Sequence, residues 1–281
     1  MASRSLPAKL TDRSRWHRDR PPEDGKPPEA YRVTLTGQRD GSTQNTSACD
    51  SEQPSAETET EIDHIFMFVE PGCADLEYLN SLGLVETYRR AHPGQGTQNI
   101  CYCFDNLFLE CLWVSDVAQV RSEVIARTGL YERSRWRTAG TCPFGIAWRT
   151  SPGGEAFDPA IWAFRPPYLP AGMSIEVSVD CDDPRQPRMF TAPGATPPLQ
   201  WVPERRRDLQ RSAGLGRVLS IRMEMPWNVE PSAALVALAG STLLEIQSAS
   251  TEMPSLTLEV ERLCNDMPLV IRLPVEQGLV F

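Results

Sequence analysis

His64 and Glu110 are the residues whose setting points most directly to chemistry. His64 lies in Ile62-Asp63-His64-Ile65-Phe66-Met67-Phe68-Val69, a β-branched and aromatic run of strand length stopped by Pro71-Gly72. Alternate residues of a strand share a face, so His64 shares its row with Ile62, Phe66 and Phe68. Glu110 stands in the same way among Phe108, Leu112 and Val114. Each is a lone ionisable group mid-strand in an apolar row, and an unpaired buried carboxylate costs several kcal/mol. A metal, water in a cavity or a mutual hydrogen bond would compensate. The first two readings make the pair catalytic, with proton transfer beside an oxyanion as its work. The plainer alternative is a structural His–Glu hydrogen bond.

Other residues suit a ligand. His92-Pro93-Gly94-Gln95-Gly96-Thr97 is a compact turn behind Arg89 and Arg90, so His92 could meet an anionic group or simply join two strands. Trp136, Trp148, Arg149, Trp162, Arg165 and Tyr168 offer rings for an apolar body and guanidinium groups for a carboxylate or phosphate. Trp136, Arg149 and Tyr168, with His92, are the substrate-binding candidates. Domain-packing aromatics and surface arginines are the alternative.

Much chemistry is excluded. The only lysines are Lys9 and Lys26, so residues 61–281 have no Schiff-base, P-loop or kinase-type lysine. His17, His64 and His92 are the only histidines. Gly214-Leu215-Gly216 lacks the third glycine of a dinucleotide fingerprint, and no GxSxG elbow exists. Asp180-Cys181-Asp182-Asp183-Pro184 lacks calcium-loop spacing. The net charge of −9 argues against nucleic acid and against anionic membrane surfaces. The eight cysteines form no CxxC pair, and Met1 to Arg20 shows no apolar signal stretch. A cytoplasmic location with free thiols is the expectation. The expected partner is a small-molecule ligand, met by a monomer or a homodimer.

The elements that would position these residues begin late in the chain. Residues 1–60 are rich in Pro, Ser, Thr, Asp and Glu without an apolar period, and read as a disordered tail. From Glu61 the order is strand (62–69), helix (74–82), then strands over 84–90, 99–104 and 107–114, with Asp105-Asn106 as a hairpin turn. A connecting region over 115–215 holds a helix over 116–128 and strands over 142–149 and 173–179. A second strand-helix-strand-strand-strand set follows at 217–225, 231–239, 243–247, 256–260 and 269–273. The expected fold is α+β, with two βαβββ modules (61–114 and 216–281) forming facing cupped sheets, a long inter-module connection and the tail.

This plan resembles the vicinal-oxygen-chelate superfamily. At residue level the first module is similar to its glyoxalase-like domains in Ile62-Asp63-His64-Ile65, Leu82-Gly83-Leu84, the His92–Thr97 turn, Phe104-Asp105-Asn106 and Leu109-Glu110-Cys111-Leu112-Trp113. Arg133-Ser134-Arg135-Trp136 and Arg165-Pro166-Pro167-Tyr168 continue it to about residue 180. The resemblance implies a small oxygenated or carbonyl compound as ligand and a divalent metal (Zn, Fe, Mn or Ni) on His64 and Glu110. A third ligand would come from Glu176, or from Glu224, Glu245 or Glu259. The superfamily includes lyases, dioxygenases, isomerases and epimerases, and also metal-free binding or sequestration proteins, so fold alone does not choose.

Overall fold

The structure, a computed structural model, describes residues 60–150 and 157–275. The expected tail, apart from Thr60, lies outside the described residues. Strands β1 (Thr60–Phe68), β2 (Tyr88–His92), β3 (Thr97–Cys103) and β4 (Phe108–Val114) follow the first expected set, with the helix Ala74–Ser81 after β1. The second strand starts later than its apolar pattern suggests, because the Val85 backbone is taken by a side chain. Val85 N donates to Gln210 Oε1 (2.9 Å), and Gln210 Nε2 donates to the Val85 carbonyl (2.7 Å). The expected 116–128 helix is broken into two single turns, Val117–Val120 and Glu123–Ala126.

The α+β class and the two sheets agree with the sequence reading, and the strand order adds what the pattern did not reveal. Residues 115–215 supply β5 (Phe144–Thr150), β6 (Ile161–Phe164), β7 (Ile175–Ser178) and β8 (Arg188–Thr191). These join the first four strands in one eight-stranded sheet of order β2-β3-β4-β1-β5-β8-β7-β6. β1 pairs β4 in parallel, β5 pairs β8 in parallel, and β1 and β5 meet antiparallel at the centre. The later set, β9 (Leu215–Met225), helix Ala233–Gly240, β10 (Leu244–Ser248), β11 (Ser255–Arg262) and β12 (Leu269–Leu273), forms a second sheet of order β10-β9-β11-β12. Ser232 caps its helix by accepting from Leu235 N (3.2 Å).

One contiguous core joins the sheets. Ile65, Met67, Leu109, Cys111, Ile146 and Met189 of the large sheet cluster with Ile221, Met223, Leu256, Leu258 and Ile271 of the small one. Alternation then sends His64, Phe66, Glu110 and Arg188 to the opposite face of the large sheet. Asn106, in the β3–β4 turn, ties the sheets directly. Its Oδ1 accepts from Val218 N (2.8 Å) and its Nδ2 donates to the Val218 carbonyl (3.0 Å). Among the described residues no helix is long and apolar enough to cross a membrane.

At the centre of the sheet Gly145 lies opposite Phe66, and the Phe66 ring occupies the space a side chain at 145 would need. A Cβ there would run into the ring. Gly145→Ala should therefore lower stability by about 1–3 kcal/mol through overpacking. Urea denaturation measures this, and a neutral result would mean that the ring moves aside freely.

Candidate active site

The register brings the chemistry-bearing strands side by side. Phe66 pairs with Glu110 across β1 and β4, so His64 and Glu110 sit diagonally on one face. His64 Nε2 lies 3.5 Å from Glu110 Oε2, well within reach of a shared proton or ligand. Both residues are largely buried, at 9% and 7% exposure. The His64 ring stacks on Phe108 (4.4 Å between centroids) and meets Phe190 edge-on at 5.4 Å.

Each member of the pair is held from behind. Asp63 Oδ2 lies 2.7 Å from His64 Nδ1, an arrangement that fixes a hydrogen on Nδ1 and turns Nε2 toward Glu110. Asn99 Nδ2 donates to Glu110 Oε1 and leaves Oε2 facing the imidazole. Asp63 in turn accepts from Arg149 Nη1 (2.9 Å), whose other donors go to Glu61 Oε2 (2.8 Å) and the Asn106 carbonyl (2.9 Å). Burial works to raise the Asp63 pKa, but the hydrogen bond and charge of His64, with Arg149, outweigh it and hold the carboxyl below its usual range.

Asp63 reaches this face because the strand is irregular. Ile62 pairs with Trp148 and His64 with the next residue, Ala147, so Asp63 is an extra residue in β1. Simple alternation would send it to the far side, which is why sequence reading passed over it.

The pair opens on a cavity of about 280 Å³ lined by Asp63, His64, Glu110, Asn99, His92 and Tyr168, among others. Tyr88, Phe108 and Trp201 form an aromatic wall with ring separations of 5.9 to 6.2 Å. Arg205 lies 3.7 Å over the Trp201 ring. Burial raises the Tyr88 phenol far above its usual value and pushes Tyr168 up to about 12, so both rings are neutral hydrogen-bonding groups. Arg90, Tyr88, Asn99 and Arg188 also line the cavity and were not singled out from sequence. Asn99 gave a usable signal, since it shares its strand row with Thr97 and Cys101.

His92 and Tyr168 both line the cavity, with their rings 5.0 Å apart. The turn after His92 needs its glycines: Gly94 has φ +80°, and a Cβ there would meet Pro167 at 2.6 Å. Burial lowers the His92 pKa below 6.5, and its Nδ1 lies 2.9 Å from Thr97 Oγ1. The unfolded chain therefore takes up a proton first as pH falls through 6.5, and stability declines from there. His92→Gln should flatten that decline between pH 7 and 5 in denaturation curves, and an unchanged slope would place the titration elsewhere.

Three sequence candidates are elsewhere. Trp136 is a core ring outside the cavity, with Nε1 donating to the Phe68 carbonyl (3.2 Å) and Arg137 4.0 Å over its face. Arg149 is consumed by Glu61, Asp63 and Asn106, so it supports the site without lining it. Glu176 is exposed on β7 and does not line the cavity.

The loss of Glu176 bears on the metal. Glu224 accepts from Ser255 (2.6 Å) and Glu245 faces Arg222 (3.6 Å), and both belong with Glu259 to the small sheet. Among the described residues no group of three His, Cys, Asp or Glu is arranged to hold an ion. His64 Nε2 and Glu110 Oε2, backed on their other atoms by Asp63 and Asn99, are two donors that could face an ion, and among the described residues no third donor completes such a group.

No protein-family model matches the sequence, and no curated protein matches it. Solved structures do. A hypothetical protein from Staphylococcus aureus is 11% identical with a TM-score of 0.36, over 68% of this chain and 87% of that one. Methylmalonyl-CoA epimerase in complex with methylmalonyl-CoA and NH4+ is 12% identical with a TM-score of 0.30, over 50% of this chain and 99% of that one. At these scores neither likeness bears on the chemistry of the cavity.

Proposed function

We propose that this chain is a glyoxalase-like protein of the vicinal-oxygen-chelate type that moves a proton on a small oxygenated or carbonyl compound. The observation that carries this reading is the buried chain Asp63–His64–Glu110–Asn99 at the cavity wall. A ligand carbon next to a carbonyl would lose its proton to Glu110 or to His64 Nε2. The same pair would return the proton to carbon or to the oxygen, so isomerisation or epimerisation needs no oxidant or reductant. Asp63 and Asn99 keep both groups aimed, which makes them positioning residues.

Purified native chain, denatured to release bound metabolites, supplies the compound. In deuterium oxide with fresh protein that compound should take up deuterium at the carbon beside its oxygen function. Uptake no faster than in buffer alone would end the reading. A second reading, metal-free binding or sequestration, is favoured by the incomplete metal-donor set and by the His64 ring packed on Phe108. It predicts a retained compound and no exchange.

A further inference from the structure

The side of the cavity away from Glu110 holds an arginine that no acid among the described residues balances. Arg188 opens β8 at 4% exposure. Its Nη1 donates to the Thr128 carbonyl at 2.7 Å, and the Phe164 and Phe190 rings lie 5.5 and 5.6 Å from its guanidinium. Among the described residues it makes no ion pair with a carboxylate. Cys181, Arg133 and Tyr168 are the charges that act on it most, and burial pulls its pKa down to about 10. Arg133 adds to the positive field. It is fully buried and donates to the carbonyls of Cys142, Pro184, Gln186 and Cys181, all neutral. A buried cation without a counter-charge is costly, and the side of Arg188 facing the cavity is where relief can come from.

The sheet fixes where that charge stands relative to the proton-transfer pair. Glu110, Phe66, Gly145 and Arg188 form one row across four adjacent strands. Their outer members are three strand spacings apart, about 14 Å between backbones. The floor between them is the Phe66 ring lying over Gly145. Phe190, beside both the guanidinium and the His64 ring, closes the same gap from the next row.

We propose that Arg188 anchors the carboxylate of a short-chain organic acid whose oxygenated carbon faces His64 and Glu110. The carboxylate is preferred to a phosphate because its planar oxygens match the free edge of Arg188, the one buried guanidinium that lines the cavity. The cavity of about 280 Å³ suits a ligand of that size. The anchor itself stands on Arg188. The orientation of the acid rests on the proton-transfer reading above.

Calorimetric titration of the full chain tests this with pyruvate and 2-oxoisovalerate, their methyl esters, and inorganic phosphate as probes. The acids should bind at least tenfold tighter than their esters. Arg188→Met should lose that preference, Arg188→Lys should keep part of it, and Arg217→Met, an exposed position on the small sheet, should keep all of it. The acid–ester comparison in the native protein needs no variant to fold. Absent acid binding, equal binding of acid and ester, or phosphate binding as tightly as the acids overturns the proposal. Acid-selective, Arg188-dependent binding without deuterium exchange would sink the proton-transfer reading and leave the anchor. Exchange that proceeds equally on the esters would do the reverse.

Discussion

Deuterium uptake by the bound compound should fall about 10²- to 10⁴-fold in His64→Gln, the range a positioned acid or base contributes. Glutamine retains polarity and approximate length, but it carries no group that gains and loses a proton near neutral pH. Glu110→Gln should fall by a similar factor, since it keeps the contact with Asn99 and removes the carboxylate 3.5 Å from the imidazole. Asp63→Asn should cost less, because the ring remains in place while its preferred tautomer weakens. Mass spectrometry of the recovered compound reads all three. If His64→Gln or Glu110→Gln exchanges within an order of magnitude of the native protein, that residue is not in the chemistry.

Arg149→Met should lower stability by about 3–5 kcal/mol at pH 7, the cost of breaking a buried ion pair from one side. Methionine fills much of the volume but leaves the Asp63 carboxylate with His64 alone and frees the Asn106 carbonyl. The contact with the half-exposed Glu61 adds little. The pH dependence has a definite sign. Asp63 has a folded pKa below 3.8, so its stabilisation is complete above that unfolded value and is lost as pH falls through the folded one. The gap between native protein and variant should thus be widest near neutrality and shrink below about pH 4. Urea curves at pH 7 and pH 3 decide it, and a difference under about 1 kcal/mol at pH 7 would put the network in the surface class.

The sequence pattern revealed the pair and missed its setting for separable reasons. His64 and Glu110 stood out because each interrupts an apolar row in a strand long enough to show its period. Asp63 did not, because an extra residue in β1 cancels the alternation that reading depends on. β6 and β8 are four residues each, too short for a period, and lie among prolines and glycines that read as loop. Residues 115–215 therefore looked like a connection, although they form half of the large sheet. Arg149 and Trp136 have the right chemistry for a ligand pocket, but a side chain's composition does not say whether its partners are already inside the protein. Arg188 is the converse case: nothing local distinguishes it from an exposed arginine, and only its burial without a paired acid among the described residues does.

The antiparallel join of β1 and β5 has an evolutionary consequence. The proton-transfer pair lies on strands from one side of that seam and the guanidinium on a strand from the other. Substitutions in β6, β7 and β8 can therefore alter which molecule is held while leaving Asp63, His64, Asn99 and Glu110 in place. Descendants of such a chain could diverge in what they accept faster than in what they do to it, with the seam as the boundary between the two kinds of change.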